Sequence, residues 1–143
     1  MSADAERAIR QDFDRWFTAA AAKDTDAVMT HIADDVVSYE HDAPLQYVGA
    51  EQVRDVCQRG FDAMKGDFRW DVPDLKVIVR GDIAVTWGLN HMRAEEPGGQ
   101  KIDSWSRGTR ICQRIDGRWL MIHQHVSYPY DPVTGEAKTT LRP

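Results

Sequence analysis

Two histidines one residue apart, His123 and His125, are the groups in this chain best suited to moving a proton. Imidazole titrates near neutrality, so either ring could act as a general base or as a donor to a substrate. They sit in Arg118-Trp119-Leu120-Met121-Ile122-His123-Gln124-His125-Val126-Ser127, a run that follows the tight-turn signal Asp116-Gly117 and reads as a strand. Alternation predicts Trp119, Met121, His123, His125 and Ser127 on one face, and Leu120, Ile122, Gln124 and Val126 on the other. The first face would line a pocket; the second is mostly apolar and would need cover. The histidines read equally well as hydrogen-bonded structural groups under a sheet rim. With His41 or Asp42 they could approach a metal set, but His-x-His alone is a weak metal motif and no metal is expected.

Glu40 and Asp42 are the candidate carboxylate bases. Burial near Trp16 would raise the pKa of either one; otherwise they are strand-end or turn residues. Asp34-Asp35 reads as a solvated helix end. Farther on, Val85, Trp87, Leu89 and His91 share one strand face, and Trp105, Arg107, Thr109 and Ile111 share another. Turning these apolar faces inward brings Trp87, His91, Trp105 and Arg107 to the pocket. An inward arginine is costly unless paired. Asp103, Asp42 or Glu40 could pair with it, or it could bind an anionic ligand group. Tyr39, His41 and Tyr128 complete the candidate substrate-binding set with Trp16.

Three helices and a sheet must position these groups. Ile9, Phe13, Trp16, Phe17 and Ala20 recur at helical spacing and predict a first helix reaching Ala22. Asp24 is a good N-cap for a short second helix ended by Ala33-Asp34-Asp35. A strand over residues 36–41 follows, and Gly49 opens a third helix carrying Val53, Val56, Cys57, Phe61 and Met64. From Asp67 the pattern becomes an antiparallel meander, punctuated by Gly81-Asp82 and Pro97-Gly98-Gly99. Residues 131–143 read as a polar tail, or as an arm laid over a neighbour. The expectation is one α+β domain over residues 1–143, with a cavity between the first helix and a strongly curved antiparallel sheet.

Bulk properties narrow the function classes. The chain has 143 residues, 42% hydrophobic and 29% charged, as a soluble domain would. Its formal net charge of -5 argues against nucleic acid as a partner. No run approaches the length of a membrane helix, and the acidic start lacks a signal-peptide core, so a cytoplasmic location without a membrane partner is expected. Cys57 and Cys112 fit no metal or redox spacing and read as reduced packing residues.

The order of elements resembles the nuclear transport factor 2-like superfamily, a cone-shaped fold that includes ketosteroid isomerases and polyketide cyclases of the SnoaL type. Arg15-Trp16 through Ala33-Asp34-Asp35, Tyr39 to Gly49, and Gly117 to Pro129 carry the resemblance, and the ending Trp-x-x-x-His-x-His-x-Ser-x-Pro looks most like the SnoaL-like, ketosteroid-isomerase-homologue branch. Steroid isomerases pair a carboxylate base with a tyrosine and a protonated aspartate as oxyanion donors. The resemblance places Glu40 at the base position, Trp16 at the tyrosine position and Thr109 near the second donor. Both acidic donors are therefore missing, and steroid isomerase activity itself is not expected.

Two functions from different classes remain open. One is an enzyme that isomerises, cyclises or dehydrates a small hydrophobic oxygenated compound. Glu40, Asp42, His123 or His125 would move the proton, while Arg107 and Trp16 hold an oxyanion or carbonyl. The other is a non-catalytic ligand-binding or oligomerisation module of the same fold. Either would take a small-molecule ligand without a cofactor. A homodimer is expected through the outer sheet face at Leu120, Ile122 and Val126.

Overall fold

A computed structural model describes residues 2–143. The chain runs α1 (Ser2–Ala21), α2 (Thr25–Met29), β1 (Ile32–Tyr39), β2 (Tyr47–Val48), α3 (Ala50–Ala63), β3 (Phe68–Asp71), β4 (Lys76–Arg80), β5 (Ile83–Glu95), β6 (Lys101–Ile115) and β7 (Arg118–Ser127). Ile9, Phe13, Trp16, Ala19 and Ala20 form the buried stripe of α1, as their spacing predicts. Lys23 leaves the helix at φ 54°, and the Asp24 carboxylate caps α2 by accepting from the Ala27 amide at 3.1 Å. The Asp116-Gly117 turn, with φ of 51° and 80°, joins β6 to β7 as a tight hairpin.

The strands form one sheet in the order β2-β1-β7-β6-β5-β3, with β4 also paired to β5. Helices packed on a curved, unclosed, mostly antiparallel sheet make the α+β arrangement expected. Three details differ. Strand β1 begins at Ile32, so Ala33-Asp34-Asp35 lies inside it and does not end a helix. It pairs with β7 in parallel, which makes the sheet mixed rather than a pure meander. The short β2 arises in the stretch before Gly49. No helix among the described residues is long and apolar enough to cross a membrane.

The C-terminal residues fold back on their own chain. Tyr130 bridges Ala137, the Lys138 amide donates to the Pro129 carbonyl, and Arg142 reaches Asp103 on β6 at 3.4 Å.

A single extra residue decides which side chains meet the helices. In the β6–β7 ladder Ile111 pairs with His123, but Cys112 pairs with Met121. Ile122 is the unpaired residue of this bulge. A one-residue slip moves every later side chain to the opposite face. Trp119 and Met121 point inward as expected, but beyond the bulge Gln124 and Val126 are the buried residues. His123, His125 and Ser127 turn to the outer face. The long strands differ from expectation too: Ala84, Thr86 and Asn90 of β5, and Ser104, Ser106, Arg110 and Cys112 of β6, are buried. Trp87, His91, Trp105 and Arg107 therefore stand on the outer face and not in the interior.

Candidate functional site

The inner face of the sheet carries a connected polar network. Ser38 and Glu40 of β1 and the following turn, Gln124 of β7, Arg110 and Ser106 of β6, and Asn90 of β5 all turn the same way. Arg110 is only 3% exposed. Its Nε donates to Gln124 Oε1 at 3.1 Å and its Nη2 to Asn90 Oδ1 at 3.0 Å. The guanidinium lies 5.5 Å from the Trp16 ring and 5.0 Å from the Trp70 ring, so two aromatic faces replace part of its lost hydration. Trp70 Nε1 also donates to Asn90 Oδ1 at 3.1 Å. Burial draws the Arg110 pKa down to about 10, with Glu40 pulling the other way, so it stays charged at neutral pH.

Gln124 passes this network to the carboxylate. Its Nε2 donates to Glu40 Oε2 at 2.7 Å and to Ser38 Oγ at 3.0 Å, while Ser38 Oγ donates to the same Glu40 oxygen at 2.5 Å. Because Gln124 Oε1 accepts from an arginine, its amide orientation is fixed. Glu40 Oε2 is thus held by two donors, and Oε1 has no protein partner among the described residues. Glu40 lines a cleft of about 820 Å³ with Tyr39, Asp42, the 43–46 turn and residues 125–127. Leu45, 96% exposed, stands on the rim.

His41 follows the end of β1 and sits at the partly exposed margin of this network. Its Nε2 lies 2.7 Å from Ser106 Oγ, which accepts from Asn90 Nδ2 at 3.0 Å. Its ring packs on Tyr128 at 4.8 Å, and the Tyr128 hydroxyl meets Ser104 Oγ at 3.1 Å. Burial of the ring, and then the Arg110 charge, push the His41 pKa down to about 4 against a smaller pull from Asp42. His41 is therefore a neutral donor or acceptor at pH 7. Gly108 makes this arrangement possible: a Cβ there would come within 2.8 Å of Arg110 Nη1 and 2.9 Å of Asn90 Nδ2.

The sequence-predicted residues divide accordingly. Tyr39, Glu40, Asp42 and His125 share the cleft, although Tyr39 and His125 reach it from the outer face. Trp16, His41 and Tyr128 belong to the inner network or its margin. His123 belongs to neither: its ring Nδ1 lies 2.7 Å from the Val37 carbonyl, and Tyr39 packs edge-on against it at 4.8 Å. His91 stacks flat on Trp105 at 4.0 Å and bonds Asp103 at 2.8 Å, both on the outer face. Trp87 and Arg107 line a separate hollow with Lys76 and Thr109. The inward arginine is Arg110, which sequence reasoning missed together with Asn90, Gln124, Ser38 and Ser106. Residue size was the readable signal. Ser104, Ser106 and Gly108 alternate with bulky residues, as a face under a tight covering layer requires. Where α1 crosses β6 and β7, at Phe13, Trp16, Trp119 and Met121, the packing leaves a void of about 20 Å³ in place of the roomy cavity expected there.

Other chemistries find less support in the geometry. Burial pushes both the Cys57 and Cys112 thiols up to about 12, so neither is a ready nucleophile. Among the described residues no group of three His, Cys, Asp or Glu side chains is arranged to hold a metal ion.

Comparison with known proteins follows the same lines. Residues 9–131 match the family model described as SnoaL-like domain. An NTF2-like protein of unknown function from Pseudomonas putida is 29% identical, with a TM-score of 0.91 over 100% of this chain and 99% of that one. A nuclear transport factor 2-like superfamily protein from Salmonella enterica is 15% identical, with a TM-score of 0.77 over 95% of this chain and 99% of that one. A candidate dehydratase of the NTF2-like family from Streptomyces avermitilis is 14% identical, with a TM-score of 0.78 over 89% and 97%. The last two show the shared fold alone. No curated protein matches the sequence.

Proposed function

Because this chain belongs to the SnoaL-like domain family, we propose that it binds a small oxygenated organic molecule over Glu40 and uses that carboxylate to take a proton. The reaction would be an isomerisation, cyclisation or dehydration. One observation carries the reading: Glu40 has one oxygen fixed by Ser38 and Gln124 and the other unpaired, in a carboxylate lining an 820 Å³ cleft. A base held this way needs no reorganisation before it accepts a proton. Asp42, on the same cleft wall, is the second candidate. The Streptomyces avermitilis neighbour's dehydratase description is compatible with the dehydration arm.

Deuterium uptake at the α-carbon of a cyclic ketone in D2O, followed by NMR, tests this. The protein should accelerate exchange, and Glu40→Gln should slow it by about 10²-fold or more, the usual contribution of a general base. Exchange by Glu40→Gln at the unaltered rate would sink the assignment.

A second reading, a non-catalytic ligand-binding module, is favoured by the packing between α1 and the sheet. Arg110, Trp16 and Trp70 pack together there: Arg110 Nη2 and Trp70 Nε1 both donate to Asn90 Oδ1, and the guanidinium lies over the Trp16 ring. Ketone binding at the cleft without any exchange would select it.

We also propose that a second copy of the chain covers the outer sheet face. Val85, Leu89, Ile111, Leu120 and Ile122 are partly exposed there, and Trp87 is 42% exposed. Val126, first assigned to this surface, is interior and plays no part. Sedimentation should show a dimer at micromolar concentration and a monomer for Trp87→Glu. A monomeric unaltered protein at that concentration would exclude the dimer.

A further inference from the structure

Strand β3 ends the sheet on the side away from β1 and Glu40. Between it and α1 lies a separate cleft of about 570 Å³, with Phe17 and Thr18 on the helix wall and Trp70 on the strand wall. Arg69 and Arg93 stand directly opposite each other in the β3–β5 ladder, and both line this cleft. Like charges placed so repel. Asp71 relieves only one of them: Arg93 Nη2 donates to Asp71 Oδ2 at 3.0 Å. That pair leaves Arg93 Nε and Asp71 Oδ1 shielded from water with no partner. Arg69 makes no side-chain hydrogen bond or ion pair among the described residues. Two cations on one wall, one of them unpaired, with apolar side chains beside them, are complementary to an anion that carries an apolar body.

We propose that this cleft is a second ligand site, one that takes a small organic carboxylate. The carboxylate would bridge the Arg69 and Arg93 guanidinium groups, whose planar forks match its geometry. The apolar body would lie against Phe17 and the accessible part of Trp70. Asp71, already engaged by Arg93, and Asp14 on the helix wall also line the cleft, and the opposition of Asp14 to an anion gives the test a second sign. The site lies at the other end of the sheet from Glu40 and does not depend on the proton-transfer reading.

Sodium benzoate is the probe, and amide shifts in NMR spectra of the full chain are the readout. Saturable shifts are expected at Thr18, Arg69 and Asp71, with signals around Glu40 unmoved. Benzamide keeps the shape and loses the charge; inorganic phosphate keeps the charge and loses the body. Each should bind at least about tenfold more weakly, the equivalent of one charge-assisted hydrogen bond. Arg69→Gln, an exposed edge-strand change that should leave the fold intact, should weaken benzoate by a similar factor, and Asp14→Asn should tighten it. Equal binding of benzamide and benzoate would overturn the proposal. So would benzoate binding to Arg69→Gln as to the unaltered protein, or shifts that do not saturate at millimolar concentration.

Discussion

Arg110→Ala is expected to lower the unfolding free energy by about 3–5 kcal/mol, the range seen when one member of a buried charged network is removed. Several losses combine. Gln124 Oε1 loses its donor, and Asn90 Oδ1 keeps only the one from Trp70. A buried acceptor left unpaired costs about 1–3 kcal/mol. The stacking with Trp16 and Trp70 disappears, worth about 2 kcal/mol when desolvated, and a cavity opens between them. The gain from no longer burying a charge offsets part of this. Arg107→Ala supplies the contrast. Its side chain is exposed on the outer face and outside the network, and such surface changes usually stay within about 0.5 kcal/mol. Denaturant unfolding of both variants measures the difference. Equal effects would mean that β6 does not present Arg110 to the interior.

Trp119→Ala should cost a similar amount, about 3–5 kcal/mol, by a different route. Trp119 is buried in the main apolar cluster, beside a void too small for its neighbours to have collapsed further. Ile9, Phe13 and Met121 would be left facing empty space. Removing His123, by comparison, forfeits one hydrogen bond to the Val37 carbonyl and an edge contact with Tyr39. Net hydrogen-bond values put that near 1 kcal/mol. A melting temperature lowered more by His123→Ala than by Trp119→Ala would contradict the packing described.

Local pattern alone gave the three helices, the main turns and the strands other than β2, although it started β1 four residues late. Ile9, Phe13 and Trp16 could bury together only on one helical face, and Asp116-Gly117 could adopt its positive φ angles with little strain. The resemblance carried by residues 15–35, 39–49 and 117–129 led to the family and to Glu40, which does line a cleft with an unpaired oxygen. Which face of each long strand turned inward was not available from pattern. Both faces of β5 and β6 carry apolar residues, and hydrophobicity points to the face with Val85, Trp87, Leu89, Trp105 and Ile111 as the interior one. The structure chose the face bearing Ser106, Gly108 and Arg110, because Trp16 and Trp70 lie close above it and only small residues or a flat guanidinium fit beneath. The bulge at Ile122 exists only as a mismatch between two paired strands, so β7 read by itself runs as an uninterrupted alternation. That one residue sends His123 and His125 outward and brings Gln124 in. The polar network behind Glu40 is therefore a product of register between strands, which only the assembled sheet determines.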